Sequence, residues 1–448
     1  MSLDINGDMY TSILQGIGKM TSLGDYLKAE GDYSVPETMR ALILSGVGEE
    51  NLKLATIETP QCGDDQLLAR VDAVSACASD NKLIDQGPDH VLMYGWDVSK
   101  YPVIIGHEGA VTIVKVGRNL RDKYHVGQRF AIQPAVPTAP RHYRERYRNK
   151  AKGISKIAVG YTLPGLFAEY VLITEEVIET GCLIPIPSMR IPYFGAALAE
   201  PLSCVIAAQE RMVHVLKENP TAPRRAEIGP KKGGVTLIIG DGPMGLMNAE
   251  VAMLYHPRKI IVSGHHERRI NRIRRVLSGK AEELSIRLIC IHSHELEETL
   301  LRETGGKGVD DVIVATGNIK AQEESFNYLA RGGVTNLFGG APYKDRMIRV
   351  DTHRIHYDGV SVVGSSGSDP SDIASVLDMM AKGLIDPGIH VVKCGGLDAA
   401  LPLIRAVRRR EIDGKGVIYP HARSPLFDVS GWNLEKEKEF LERFSVIF

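Results

Sequence analysis

The chain has no C-x-x-C pair. Its six cysteines, Cys62, Cys77, Cys182, Cys204, Cys290 and Cys394, are scattered along 448 residues. That scatter excludes a disulfide framework and an all-cysteine zinc knuckle, and it suits a reducing cytoplasm. No apolar run approaches membrane-spanning length, so no membrane association is expected. A dominant charge is lacking too. The net charge is −1, and nothing draws the whole chain to nucleic acid or an anionic lipid surface. There is no internal repeat and no low-complexity tract. Met1–Val35 resembles neither a secretory signal nor a transit peptide, because Lys19 and Lys28 are isolated and no long apolar core accompanies them. Within it, Tyr10–Glu30 could form a surface helix. A hydrophobic content of 44% and a charged content of 24% describe an ordinary globular protein. The length calls for two domains, since single cores stop growing well short of it.

Against these absences stands one well-formed stretch, Val235–Gly245, VTLIIGDGPMG. Val235–Ile239 reads as a buried strand. Gly240, Gly242 and Gly245 make G-x-G-x-x-G, and Leu246–Tyr255 reads as a helix, with Pro243 and Met244 in the turn that starts it. Lys259–Ser263 is a second strand. The first glycine makes a tight turn, the second lets the backbone approach a pyrophosphate, and the third lets helix and strand pack closely. The helix N-terminus receives the phosphate charge. Further strands are expected at Arg287–Ile291, Val309–Ala315, Gly333–Phe338 and Val360–Val363. They alternate with helices at His266–Val276, Leu296–Thr304 and Ala321–Ala330, as in a doubly wound parallel sheet. Thr316 and Gly317, after the fourth strand, join the expected nucleotide-binding set.

The half before this unit has a different texture. Met39–Leu44, Leu67–Val74, Val111–Val116, Gln128–Ile132 and Ala168–Ile173 look like short strands separated by turns. Arg141–Lys156, RHYRERYRNKAKGISK, is strongly basic. It reads as a solvated excursion, with an anion-binding lip as the sharper alternative. Ala196–Met212 reads as a helix, and Lys217–Gly234 as an exposed insert. After Gly364, helices at Ser371–Lys382 and Leu397–Arg409 precede a short strand, Lys415–Tyr419. In the tail Asp428–Phe448, Leu434, Phe440, Leu441 and Phe444 recur at helical spacing, which fits a packed terminal helix or a subunit contact.

Three signals precede the glycine-rich turn: Cys77 in CASDNK, His107 in GHEG and Glu200 in AEPLSC. Each has a plain reading alone: a buried small hydrophobe, a core histidine, a helix cap before Pro201. Together they offer a thiolate, an imidazole and a carboxylate. That is a three-ligand zinc set with a fourth position open. Glu108 follows His107 directly. In an extended backbone its side chain points to the opposite face, so it is expected beside the metal rather than as a permanent ligand.

C-A-S-D at Cys77–Asp80, G-H-E at Gly106–Glu108, E-P-L at Glu200–Leu202 and the glycine fingerprint, in that order, resemble the zinc-dependent medium-chain dehydrogenase/reductase family of the alcohol and sorbitol dehydrogenase type. The resemblance spans about Met39 to Pro420. Gly127–Ala135, Ala199–Cys204 and Ile355–Gly367 look most like L-sorbose-1-phosphate reductases. The fold it implies is α/β, a Rossmann doubly wound parallel sheet inserted in a GroES-like β-rich catalytic domain, with the active site in the cleft. The expected boundaries are an extension at 1–35, the first catalytic part at 36–208, the Rossmann domain at 209–365, the second catalytic part at 366–424 and a tail at 425–448.

Three positions depart from the family pattern. Arg129–Gly165 has no cysteine, so no structural zinc is expected. Lys82 stands where a relay histidine often follows the C-x-S-D motif. The acidic residue expected after the second Rossmann strand is missing: the position is Gly264, followed by His265, His266, Glu267, Arg268 and Arg269.

The implied activity is hydride transfer between a nicotinamide dinucleotide and a secondary alcohol or ketone, in a polyol or sugar phosphate. One zinc per subunit, held by Cys77, His107 and Glu200, would act as a Lewis acid. Ser79 would pass the proton onward. Lys82 would replace the relay histidine or hold a substrate phosphate, and Glu108 would orient the metal shell. With no carboxylate at Gly264 and with His265, Arg268 and Arg269 nearby, NADP(H) is expected over NAD(H). The rival readings are a zinc-free quinone or enoyl reductase on the same fold, and a nucleotide-binding sensor without catalysis. A homodimer or homotetramer in the cytoplasm, with a small-molecule substrate and no nucleic-acid partner, completes the expectation.

Overall fold

The computed structural model describes residues 35–341 and 346–445. The surface helix expected at Tyr10–Glu30 lies outside them. The described chain forms two units.

The first unit holds residues up to Glu200 together with Ile373–Gly383 and the chain from Val391 onward. Its main sheet runs Leu183–Pro185, Arg129–Ile132, Glu108–Val116, Leu67–Ser75, Lys415–Tyr419, Val391–Gly396, Phe427–Asp428, and Tyr170–Ile173 also pairs with Leu67–Ser75. Leu67–Ser75 is buried along its whole length, as a central strand with both faces covered must be. A separate sheet joins Leu52–Glu58, Thr38–Leu44 and Val103–Ile104. The late strand Lys415–Tyr419 inserts antiparallel beside Leu67–Ser75, pairing Val417 with Ser75. Two distant parts of the sequence thereby build one sheet.

The terminal helix Leu434–Phe444 packs into this unit, with Phe440 and Leu441 buried. Its Glu437 carboxylate accepts the backbone N–H of Tyr193 at 2.8 Å and of Phe194 at 2.9 Å, at the start of the helix Tyr193–Gln209. A carboxylate there satisfies orphan amides and complements the helix dipole.

The second unit is Pro201–Asp372 with Leu384–His390. A separate antiparallel pair, Val213–Leu216 with Arg225–Ile228, forms a ribbon that reaches into the segment read as an exposed insert. Its main sheet has six strands, all parallel. Across the sheet they run Arg287–His292, Lys259–Gly264, Val235–Ile239, Val309–Val314, Leu329–Asn336, Ser361–Val363. Counted along the chain this is the order 3-2-1-4-5-6, which reverses beside the strand that leads into the glycine-rich turn. Alternate side chains sort to two faces. Ile238, Val262 and Ile313 pack with Leu246, Ala249, Ile270 and Ile273. Leu237, Ile261, Val312 and Val314 pack with Leu296 and Leu300. Helices therefore cover both faces, and each strand is apolar on both.

Several elements differ from the sequence reading. The first Rossmann helix starts at Pro243 and ends at Ala252, followed by a tighter turn at Met253–Tyr255. The helix expected over Ala321–Ala330 stops at Glu324, and the fifth strand already begins at Leu329. Leu329, Val334 and Thr335 are buried in strand geometry there, so sheet packing overrides helical propensity. The division between the units falls at Glu200/Pro201, inside the helix Tyr193–Gln209. Leu384–His390 belongs to the second unit because buried Glu250 accepts from His390 Nε2 at 2.7 Å and from the Asp386 N–H at 2.9 Å.

Candidate metal centre and nucleotide cradle

Cys77 sits just past the buried strand Leu67–Ser75, at the N-cap of the helix Ala78–Gln86. His107 immediately precedes the strand Glu108–Val116. The two strands pair antiparallel with Ser75 opposite Glu108, so their ends bring Cys77 and His107 together. Cys77 Sγ, a His107 ring nitrogen and a Glu108 oxygen all lie within 4.8 Å of one another. A sulfur, a nitrogen and an oxygen donor at that spacing, largely buried, fit zinc.

Asp80 fixes this arrangement. Its Oδ2 accepts the Cys77 N–H at 2.9 Å and its Oδ1 lies 3.0 Å from His107 Nδ1. Burial opposes an imidazolium at His107, but the Asp80 carboxylate outweighs it and holds the ring's pKa well above the usual histidine value. With Nδ1 held by Asp80, Nε2 remains for a metal. Asp80 is absent from the sequence-derived site, although its three-residue spacing from Cys77 is that of a capping box.

Lys415 is the second functional residue that sequence reasoning missed. It is 4% exposed. Its Nζ lies 2.8 Å and 2.6 Å from the two Glu108 oxygens and donates to the Ala76 carbonyl at 3.0 Å. Burial works against the ammonium, yet Glu108 first, then Cys77 and Glu200, raise its pKa above the ordinary lysine value. The only signal in the sequence is a lysine opening an otherwise apolar strand.

Two further residues bear on the expected ligand set. Glu108 stands with the donors, because His107 lies outside the strand that begins at Glu108 and the alternating-face rule does not govern the pair. Glu200 is not in the 4.8 Å group. Nor does it cap a helix start: the helix Tyr193–Gln209 runs through it, with Pro201 inside. Glu200 is buried, and its charge is felt at both Tyr161 and Lys415.

Ser79 lies half-buried in the first turn after Cys77, and Lys82 is exposed one turn on. The Lys82 charge reaches His90, a buried ring whose pKa is lowered to about 4, first by burial and then by Lys82 and His107. His90 stacks on Tyr161 with centroids 5.0 Å apart, and Tyr161 lies 5.8 Å from the His107 ring. These two aromatic neighbours come from separate loops, and no motif marks them.

The second unit carries the nucleotide cradle. The turn Gly240–Gly242 leads from the first strand into the helix Pro243–Ala252, with Gly242 at the N-cap. A side chain at Gly245 would place its Cβ 2.0 Å from the Gly240 carbonyl oxygen, so only glycine allows this approach of helix to turn. A Cβ at Gly242 would meet nothing within 4 Å, which leaves the helix N-terminus open to a phosphate. Ala315, directly before Thr316 and Gly317, lies against Gly240.

Two family models match the chain. Residues 63–187 match the alcohol dehydrogenase GroES-like domain, and residues 243–382 match the zinc-binding dehydrogenase domain. Mannitol-1-phosphate 5-dehydrogenase of Aliivibrio fischeri is 31% identical over 89% of this chain and 92% of its own length. L-sorbose 1-phosphate reductase of Klebsiella pneumoniae is 30% identical over 79% of this chain and 82% of its own. The solved structure of 2R,3R-butanediol dehydrogenase from Bacillus subtilis shares the fold with a TM-score of 0.67 at 20% identity, covering 85% of this chain and 99% of that one. The chain belongs to the zinc-dependent medium-chain dehydrogenase/reductase family. It is an oxidoreductase that moves hydride between a nicotinamide dinucleotide and an alcohol or ketone.

In this dehydrogenase the strand end at Gly264 is not bare. Asp241, inside the fingerprint turn, projects its carboxylate there, and Oδ2 accepts the N–H groups of His265 and His266, both at 2.7 Å. Arg269 is buried and lies 3.9 Å from Asp241 Oδ1, whereas Arg268 and His265 are exposed. The strand residue itself is glycine, as the NADP(H) expectation assumed, but a neighbouring carboxylate, that of Asp241, lies at the strand end.

The basic segment Arg141–Lys156 is anchored rather than simply solvated. Tyr147 and Ala151 are buried in the core. The Arg146 guanidinium lies over the rings of Tyr143 at 3.8 Å and Tyr101 at 4.5 Å, and Arg141 pairs with Glu179. His142, Glu175 and Glu176 form a second group within 4.8 Å, at a more open position. Among the described residues, no helix is long and apolar enough to cross a membrane.

Proposed function

We propose that this dehydrogenase interconverts a secondary alcohol and its ketone in a phosphorylated polyol or sugar, using zinc held by Cys77, His107 and Glu200. The observation that carries the reading is the Cys77–His107 donor pair set by Asp80. A zinc-free reductase has no use for such a pair. The distances favour one variant of the ligand set, in which Glu108 gives the third donor. In the main reading Glu108 stays with Lys415 and balances charge beside the donors. Held by these residues, zinc would supply Lewis-acid polarisation of the substrate oxygen.

The chain's own residues do the rest. Asp80 orients the imidazole. His90 and Tyr161 form an apolar wall beside His107. Ser79, next but one to Cys77, takes the hydroxyl proton toward solvent. Lys82, exposed and four residues into the helix side of the site, offers a point charge to a substrate phosphate. Two relatives whose names carry a 1-phosphate support a phosphorylated substrate. A reducing cytoplasm suits six cysteines none of which forms a disulfide.

The test is a panel of polyols and ketoses, each with and without its phosphate ester, followed by nicotinamide absorbance. Phosphate esters should be preferred, and Lys82→Gln should raise KM for them about tenfold or more while leaving unphosphorylated substrates unchanged. Equal kcat/KM for ester and parent compound would refute the phosphate assignment.

A further inference from the structure

Family members of this architecture meet the adenosine ribose at the end of the second parallel strand. In this chain that strand ends at Gly264. A side chain there would begin 2.4 Å from Asp241 Cβ and 2.5 Å from Asp241 Oδ2. Asp241 thus occupies the volume that a strand-end side chain would enter. It is 8% exposed. The two backbone amides at 2.7 Å pin Oδ2, and the His266 ring nitrogen Nδ1 lies 3.1 Å from Oδ2 and 3.4 Å from Oδ1. The carboxylate is therefore fixed between the glycine-rich turn and the start of the helix Glu267–Glu283.

We propose that Asp241 replaces the missing strand-end acid, so that it selects NAD(H) by accepting the adenosine ribose hydroxyls and rejects the 2′-phosphate of NADP(H). The inference rests on the reading of the second unit as a dinucleotide-binding domain. With Oδ2 taken by two amides, Oδ1 is the acceptor for a ribose hydroxyl. A 2′-phosphate brings two negative charges to the same point, where burial weakens screening. Arg269, which a phosphate would need, already faces this carboxylate. The acid has moved from one side of the turn to the other, and glycine at position 264 makes room for it.

Dissociation constants for NADH and NADPH decide the question, measured by fluorescence titration on the wild type, on Asp241→Asn and on the swap Asp241→Ala with Gly264→Asp. Thermal midpoints are recorded for each. The wild type should bind NADH at least about tenfold more tightly than NADPH. Asp241→Asn keeps an acceptor for the backbone but loses the charge, so the ratio should shift toward NADPH by about tenfold. The swap should restore the NADH preference. Gly264→Asp alone should lower the thermal midpoint, because its side chain meets Asp241. Tighter NADPH binding by the wild type would overturn the proposal, and so would an unchanged ratio in a folded Asp241→Asn. The wild-type ratio stands even if a variant does not fold. Failure of the wild type to bind either dinucleotide would overturn the dinucleotide-domain reading itself.

Discussion

Lys415 and Glu108 form a buried ion pair directly beside Cys77 and His107, with Nζ–oxygen distances of 2.8 Å and 2.6 Å. They lie far apart in sequence and meet because the strand Lys415–Tyr419 inserts next to Leu67–Ser75. Removing one partner leaves the other charge buried and uncompensated, at a cost of about 3–5 kcal/mol. Lys415→Met should lower the unfolding free energy by that amount in denaturant titrations. Lys415→Met with Glu108→Leu should recover most of it, and additive losses in the double variant would contradict the pairing.

Asp80 acts through His107. Partners that hold a ligating histidine typically change metal affinity by about 10- to 100-fold when removed. Asp80→Ala should therefore weaken zinc binding by that factor in a chelator competition, while the dinucleotide still binds. Unchanged zinc affinity would mean that Asp80 merely caps its helix.

How much of this was legible in the sequence depends on the range of the interactions. The glycine turn, the parallel strands and the Cys77 and His107 positions are local patterns, and the structure contains each. Asp80 stands within the C-A-S-D motif, but its role becomes visible only through its distance to His107. Lys415, His90 and Tyr161 reach the site through tertiary pairing, for which one strand or loop carries no mark. Asp241 was visible inside the fingerprint, yet its meaning depends on where its side chain ends relative to Gly264. The closeness of Glu108 to Cys77 and His107 follows from the start of the strand at Glu108, which leaves His107 outside it, and a period-2 pattern does not mark that boundary.

Glu437 gives the fold a pH dependence. Burial pushes its pKa up to about 7, against an ordinary 4.5. The folded state binds this proton more tightly than the unfolded chain does. The group's contribution is thus full below about pH 4.5 and is lost as pH rises through about 7, on the order of 3 kcal/mol in total. Between about pH 5 and 8, thermal midpoints should fall more steeply for the wild type than for Glu437→Gln. Parallel curves would show that Glu437 does not titrate there.

The strand Ser361–Val363 ends the parallel sheet, and Val362 is 48% exposed. Open sheet edges are commonly paired or covered. The expected state is a homodimer, or a tetramer built from such dimers, joined at this edge. Val362→Pro should shift light-scattering mass toward monomer. A wild type that is monomeric at micromolar concentration would rule this assembly out.

The proposed chemistry needs a catalytic metal held by Cys77 and His107. Its most direct measurement is the metal content of the purified protein by mass spectrometry, with turnover recorded on the same sample before and after chelation. The account predicts one zinc per subunit, turnover that disappears with the zinc and returns on its addition, and Cys77→Ala protein that binds dinucleotide but neither holds zinc nor turns over. Full turnover in metal-free wild-type protein would contradict it.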